Sequence, residues 1–448
     1  MCGISGILGP KATKNNINKM TGVMYHRGHD TIKHFQQNDI TLGHNRLSII
    51  DLNEGADQPF QRNDSPWVLV YNGEIYNYVE LREELIHEGY AFDTQSDTEV
   101  LYRAFLVWGE NCLEKLNGMF AFAFFNTKTN ELFAARDRFG VKPFYYYLDE
   151  KNFIFASEIK AIKQLVSSTL NEKVIANYLA YGSYGMPDES FYKNIQQLPG
   201  SHFLNYKENK LQINQWYDFV SRTNKKIIEL QNTSEDEAKE EYKKLLKNSI
   251  DLRFRADVPV GFTLSGGVDS SLLLALVNQR EEAKNIKAFT FYTDDERYDE
   301  SYWVQQMVAK TQTQLEKVLL RSDEVNERHQ RLSKIQDEPY RGGPTIAYAK
   351  VFETMAKQGV KVILDGQGMD EAWAGYDYYQ NNSNNTIQGQ SNTSPFKIDV
   401  MSDSFTAKAQ KPEYPTPFKD ELFDKQYRDL FYTKIPRALR FNDRVSMA

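Results

Sequence analysis

The segment Ser265-Gly-Gly-Val-Asp269-Ser-Ser271 constrains this chain more than any other. An apolar, β-rich run, Val258-Pro-Val-Gly-Phe-Thr-Leu264, leads into it, and the helix formers Leu272-Leu-Leu-Ala-Leu-Val277 follow. That order predicts a buried strand, a tight turn and a helix. Gly266 and Gly267 let the backbone turn sharply and approach an anion closely. The N–H groups of the helix start and the hydroxyls of Ser265, Ser270 and Ser271 are then donors for phosphate oxygens. Asp269 suits an anion site only if a cation accompanies the anion, and Mg²⁺ held by a carboxylate together with phosphates meets that condition. The plainer account is an ordinary strand–turn–helix corner with incidental serines.

No Lys-Ser/Thr pair follows the glycines, so this is not the Walker A pattern. The segment resembles the PP-loop of ATP pyrophosphatases, and the resemblance implies that it binds the pyrophosphate end of ATP and leaves AMP on a substrate.

At 448 residues the chain is long enough for two or three domains. Its 41% hydrophobic and 26% charged residues describe a globular protein, and a net charge of −7 argues against a generic nucleic-acid or anionic-membrane binder. No apolar run reaches the roughly 20 residues that span a bilayer. The aromatic run Met119-Phe-Ala-Phe-Ala-Phe-Phe125 is the length of a strand. The N-terminus lacks a basic region followed by an apolar one, and two cysteines are too few for a disulfide framework, so the expected location is cytoplasmic.

The chain opens Met1-Cys2-Gly3-Ile4. Removing Met1 would give Cys2 a free α-amine of pKa roughly 7.7–8, a usable base one residue's reach from its own thiol. Cys2 is thus either a self-contained nucleophile or a buried small residue of a first strand over 4–8. Downstream, Leu42-Gly-His-Asn-Arg46-Leu-Ser-Ile-Ile50 reads as a strand, and Val68-Leu-Val-Tyr-Asn72-Gly73-Glu74 as a strand running into an Asn-Gly turn. Ser96 with Glu99 has capping-box spacing, with Asp97 in the first turn.

With His26-Arg27-Gly28, Arg136-Asp-Arg-Phe-Gly140 and Ala156-Ser-Glu-Ile-Lys160, these segments resemble the glutamine amidotransferase domain of the N-terminal-nucleophile (Ntn) hydrolase type, over about residues 1–200. The resemblance implies an αββα sandwich. It makes Cys2 the nucleophile, with Asn72 and Gly73 as the oxyanion hole. Arg46 and the backbone of Leu47, Ser48, Ile49 and Ile50 would take the glutamine α-carboxylate, and Glu74 and Asp97 its α-ammonium. His29 stands where family members commonly have proline. Cys112, beside Trp108 and Leu116, reads as core packing.

A final hairpin over 197–217 is followed by an expected polar linker over 221–232 and a helix opening at Ser234 and running to about Arg253. Beyond the PP-loop come strand 286–292, helix 300–311, strand 314–320, helix 347–358 and strand 360–364, the alternation of an α/β fold with a parallel sheet. The stretch 380–394, rich in Asn, Gln and Ser, is expected to be a surface loop.

Asp365-Gly-Gln-Gly-Met-Asp370-Glu371 with Gly375-Tyr376 resembles the Gly-Glu/Gln-Gly-x-Asp-Glu-x-x-Gly-Tyr loop of the synthetase half of asparagine synthetases. On that resemblance Asp370 joins Asp269 as a Mg²⁺-side carboxylate. ATP is held by Leu264, Ser265, Gly266, Gly267, Asp269, Ser270, Phe291, Asp365 and Gly366. Gln367 stands where many members have Glu and cannot act as a base. Asp337-Glu-Pro339 matches a segment near the acceptor site, with a helix or turn cap as the plainer account. The sequence closes at Ala448, before an Arg-x-Pro-Phe-Leu-Asp motif and a lysine with which the family is expected to continue, so it reads as a fragment or a truncated form.

The chain is thus identified as a member of the glutamine-hydrolysing asparagine synthetase family. The expected organisation is an Ntn-hydrolase αββα sandwich over 1–217 and an α/β parallel-sheet ATP-pyrophosphatase domain over 218–448. The expected substrates are glutamine, aspartate and ATP, the cofactor is Mg²⁺, and a homodimer is the assembly considered. The alternatives are an amidotransferase acting on another carboxylate, such as a sugar acid or a peptide, and a glutaminase or regulatory protein without synthetase activity.

Overall fold

A computed structural model describes residues 2–280, 286–295, 299–340, 342–380 and 401–448; the expected surface loop falls, apart from Gln380, outside them. Twelve strands lie within the first 215 residues: β1 (Gly3–Leu8), β2 (Thr31–Gln37), β3 (Ile40–Arg46), β4 (Phe60–Gln61), β5 (Trp67–Ile75), β6 (Gly118–Asn126), β7 (Leu132–Arg136), β8 (Tyr145–Leu148), β9 (Phe153–Ala156), β10 (Gln196–Gln197), β11 (His202–Lys207) and β12 (Lys210–Gln215). They form two six-stranded sheets, ordered β10-β8-β9-β1-β3-β2 and β12-β11-β7-β6-β5-β4, with every pairing antiparallel.

The run at 119–125 shows why the sheets stack. Its residues alternate between faces at period two. Phe120, Phe122 and Phe124 enter a cluster with Leu101, Tyr102 and Phe105 of the helix Asp97–Trp108. Ala121, Ala123 and Phe125 face Ile4, Leu42, Phe144 and Phe155 of the other sheet. β6 is therefore buried on both sides, and each buried phenyl ring contributes about 1.5–3 kcal/mol. The helix Lys14–Val23 covers the opposite face through Ile17 and Met20, which completes the helix–sheet–sheet–helix layering.

The second half is built on β13 (Val260–Thr263), β14 (Lys287–Thr293), β15 (Gln314–Leu320) and β16 (Val362–Leu364). They form a parallel sheet ordered β15-β14-β13-β16. Because β13 and β16 are neighbours, with Phe262 opposite Leu364, the glycine turn at 265–267 and the loop after Leu364 leave the carboxyl ends of the two strands side by side.

Three expectations change. The polar stretch 221–232 is not a linker: the helix Phe219–Leu230 runs through it, started by Asp218, whose carboxylate accepts the Ser221 N–H at 3.0 Å. Its first residue packs its ring on Tyr427 and Phe431, a contact invisible in composition. Asn72-Gly73 is not a turn, because β5 continues through it, with Asn72 opposite Ala121 and Gly73 opposite Phe120. At Ser96 only half of the capping box forms. The Ser96 hydroxyl accepts the Glu99 N–H at 3.2 Å, but the Glu99 carboxylate turns to the N–H groups of Asp93 and Thr94.

The halves meet through buried charge. On the C-terminal helix Lys434–Met447, Asp443 accepts two bonds from Arg27, at 2.8 and 3.0 Å, and lies 3.6 Å from Lys142. Burial disfavours its ionised form, but Arg27 and Lys142 outweigh that and hold it below the ordinary aspartate value. A depressed carboxylate stabilises the fold above its unfolded pKa of about 3.9, and the contribution disappears as pH falls through the folded value. Asp443→Ala would remove the carboxylate that these two buried cations share and is expected to cost about 3–5 kcal/mol. The check is thermal unfolding at pH 7, where the melting temperature should drop, with the gap between variant and wild type closing below about pH 4.

Candidate active sites

The first site lies where β1 begins. Cys2 and Ile4 share one face of β1, the face turned toward the second sheet, where Ile4 joins the inter-sheet core. From that second sheet β5 presents Asn72 and Glu74 on its inward face, in step with Val68 and Val70. Cys2 N–H donates to Asn72 Oδ1 at 2.9 Å, and Asn72 Nδ2, fully buried, has no partner among the described residues. An idealised side chain at Gly73 would lie 2.1 Å from the Met119 carbonyl, so only glycine permits this close backbone approach.

A cleft lined by Cys2, Arg46, Leu47, Ser48, Ile49, Ile50, Gln58, Tyr71, Gly73, Glu74, Asp97 and Thr98 brings the sequence-predicted residues together, with Asn72 against Cys2. Several of their groups are already engaged. Arg46 Nη1 donates to Asp57 at 2.6 Å and to the Asn53 carbonyl at 2.8 Å, and its Nη2 donates to the Asp51 carbonyl. Ser48 N–H donates to Asp30 at 2.8 Å. Asp97 Oδ2 accepts from Tyr71 OH at 2.9 Å and from Ile75 N–H at 3.0 Å.

The electrostatics of the cleft are unusual. Burial works against the Cys2 thiolate, but neighbouring His44, together with the positive chain terminus and the Leu47 backbone, outweighs it and brings the thiol down to about 6. Burial pushes Glu74 up to about 7, with the Asp97 charge adding to it, and pushes Asp97 up to about 6 against the bonds it accepts. Two buried carboxylates facing one cleft are stabilised by a cation between them. Cys112 is fully buried in the helix-side core, and burial alone pushes its thiol up to about 12.

Sequence reading missed His44. It lies opposite Ile4 on β3, so its ring shares a face with Cys2. Its Nε2 meets the Tyr71 carbonyl at 3.1 Å, while its Nδ1, also buried, has no partner among the described residues. The signal was present: His44 sits two residues from Arg46 on the same strand, hence on the same face.

The second site lies at the carboxyl ends of the parallel strands β13 and β16. Ser270 braces the turn rather than standing open, since its Oγ accepts from Ser265 N–H at 3.1 Å and lies 3.0 Å from the Ser265 carbonyl. Gly267 N–H donates to Ser265 Oγ at 3.2 Å, and Gly266 N–H donates to the Glu300 carboxylate at 2.9 Å. Glu300 thus holds an anion against the turn, a role the sequence did not signal. Leu264, Ser265, Ser270, Phe291 and Asp365 line an adjoining pocket of about 620 Å³ with Tyr348. Gly366 approaches Asp269, with 3.6 Å between its idealised Cβ and the Asp269 Cβ.

Partial burial and the Asp370 charge both raise Asp269, and partial burial raises Asp370 against Lys434. Two carboxylates that destabilise each other's charge fit a divalent cation shared with phosphates, which needs only one or two protein ligands. No cluster of three or more metal-ligating side chains occurs among the described residues. Asp337 accepts the Lys160 N–H of the sandwich at 3.0 Å. No helix among the described residues is long and apolar enough to cross a membrane.

The sequence matches known proteins over both halves. Residues 1–217 match a glutamine amidotransferase domain, and residues 241–448 match an asparagine synthase. A Methanocaldococcus jannaschii relative provisionally named asparagine synthetase (glutamine-hydrolyzing) 2 is 36% identical over 403 residues, covering 84% of this chain and 76% of its own. Asparagine synthetase (glutamine-hydrolyzing) 3 of Bacillus subtilis is 28% identical, covering 100% of this chain and 77% of its own. Asparagine synthetase (glutamine-hydrolyzing) 1 of the same organism is 32% identical, covering 85% of this chain and 60% of its own.

Cys2 is expected to react with iodoacetamide at a rate that rises through pH about 6 and levels above it, while Cys112 stays unlabelled until the protein unfolds. Peptide mass spectrometry after brief labelling between pH 5 and 9 reads both. Equal labelling of the two thiols would contradict the assignment.

Proposed function

The chain belongs to the glutamine-hydrolysing asparagine synthetase family, and from that premise we propose that it makes asparagine from aspartate, glutamine and ATP through its two sites. The observation that carries the reading is the Cys2 cleft. A lowered thiol, a buried amide nitrogen without a partner and two raised carboxylates meet there.

In the first site the Cys2 thiolate attacks the side-chain amide carbon of glutamine. Negative charge develops on the amide oxygen, where Asn72 Nδ2 and Gly73 N–H stabilise it as neutral donors. The leaving nitrogen takes up the proton given up by the Cys2 thiol, carried by the α-amine that removal of Met1 would free, so ammonia departs and a thioester to Cys2 remains, which water hydrolyses to glutamate and the free thiol. Glu74 and Asp97 pair with the α-ammonium of the substrate, which relieves their mutual repulsion on binding. Arg46 and the 47–50 backbone take the α-carboxylate, with the guanidinium held in place by Asp57.

In the second site the aspartate β-carboxylate attacks the α-phosphorus of ATP, pyrophosphate leaves, and the resulting acyl-adenylate reacts with ammonia to give asparagine and AMP. Activation is needed because a carboxylate is a poor electrophile. The glycine turn offers its N–H groups to pyrophosphate, and the pocket beside Phe291 and Tyr348 accepts the nucleoside. Asp269 and Asp370 would hold Mg²⁺, which neutralises charge on the leaving pyrophosphate. The phosphates displace the Glu300 carboxylate from Gly266.

The whole chain incubated with aspartate, glutamine and ATP is expected to yield asparagine, glutamate and AMP in matched amounts. AMP formed only when aspartate is replaced by another acid would overturn the choice of acceptor. Cys2→Ala should abolish use of glutamine and leave ammonia as a working donor. Asn72→Ala should lower glutaminase kcat about 10²–10³-fold, the usual cost of one oxyanion donor. Glutaminase kcat/KM should fall as pH drops below about 7, because Glu74, Asp97 and Cys2 take up protons there and lose the charges the reaction uses.

A further inference from the structure

The segment 47–50, which the proposed glutaminase needs for the substrate α-carboxylate, and Asp51 that follows it are not held by the sandwich alone. Asp257 stands just ahead of β13, in the half that carries the phosphate-binding turn. Its N–H donates to the Ile49 carbonyl at 2.9 Å, and its carboxylate accepts the Asp51 N–H at 2.8 Å. The two bonds grip both ends of one short stretch.

That stretch needs an external hold. Asp51 has φ of +51°, a left-handed conformation that a residue other than glycine adopts at a cost. It also organises both sides of the cleft. Its carbonyl accepts from Arg46, on the carboxylate side, and its carboxylate accepts the Gln95 N–H at 2.8 Å, two residues before Asp97 on the ammonium side. A second strap runs in parallel: Lys361, just ahead of β16, lies 3.1 Å from the Asp30 carboxylate that accepts the Ser48 N–H. That half-exposed ion pair is the weaker of the two, so Asp257, bonded directly to backbone, is the principal strut.

We propose that Asp257 is a positioning residue for glutamine, supplied by the ATP half to set the backbone that receives the α-carboxylate. The inference rests on the glutaminase reading above and adds that the glutamine site is completed from across the junction. Its signature is a change in KM without a change in kcat, since Asp257 touches neither Cys2 nor the oxyanion donors.

The test is steady-state glutamate release from glutamine by the whole chain. Asp257→Ala is expected to raise the glutamine KM about three- to tenfold, one hydrogen bond's worth, with kcat unchanged. Asp257→Asn keeps a carbonyl that can accept the Asp51 N–H and should restore the wild-type KM. An unchanged KM in Asp257→Ala, a fall in kcat that accompanies the rise in KM, or an Asp257→Asn variant as impaired as the alanine would overturn the proposal. A wild-type chain that releases no glutamate from glutamine would instead remove the glutaminase reading, so the two failures are distinct.

Discussion

The arrangement depends on one guanidinium. Arg27 is fully buried, and its planar fork of donors is spent in three directions. Its Nε donates to the Cys2 carbonyl at 3.1 Å, its Nη1 to Glu158 at 2.9 Å, and both terminal nitrogens to Asp443. The Cys2 backbone, the sandwich and the C-terminal helix of the other half thus share a single side chain. A second buried set repeats the plan nearby: Arg444 donates to Glu338 at 2.9 Å and to Tyr145 OH at 2.8 Å, while Glu338 accepts the Phe191 N–H at 3.1 Å. Buried ion pairs of this kind gain little net energy over apolar packing, but breaking one is costly, so they fix how the halves sit more than how tightly they hold.

The two sites solve opposite electrostatic problems. In the Cys2 cleft burial raises the carboxyls of Glu74 and Asp97, while the Cys2 thiol is lowered against its burial. The phosphate turn is open at the carboxyl ends of the parallel strands and presents backbone dipoles, with Glu300 resting where an anion is favoured. One site is tuned by desolvation and the other by exposed donors. Placing them in separate architectures, a closed sandwich and the carboxyl ends of a parallel sheet, lets each environment exist without compromising the other.

Much of this was legible in the sequence because the motifs are local. The order of strand, glycine turn and helix at 258–277 survives almost unchanged, as do the strands at 286–292 and 314–320. What escaped depended on partners distant in the chain. Asn72-Gly73 has the composition of a hairpin turn, yet nine residues of pairing with β6 carry β5 straight through it. The polar stretch at 221–232 is helical because Phe219 finds Tyr427 and Phe431 about two hundred residues away. The i,i+2 spacing put His44 on the face of Arg46, but its place beside Cys2 follows from the pairing of β1 with β3. That Ser270 Oγ bonds back to the Ser265 carbonyl is set by its side-chain rotamer, which no spacing encodes.

The Arg27 network also bears on how such chains can recombine in evolution. A sandwich carrying Arg27, Glu158 and Lys142 at its base is not a free-standing module, because it presents a buried cationic socket cut to receive one aspartate. Another half joined to it would match this socket only by arriving with a carboxylate at the position of Asp443. Shuffling of this half is therefore limited less by the acceptor chemistry than by a lock whose key is a single acidic residue.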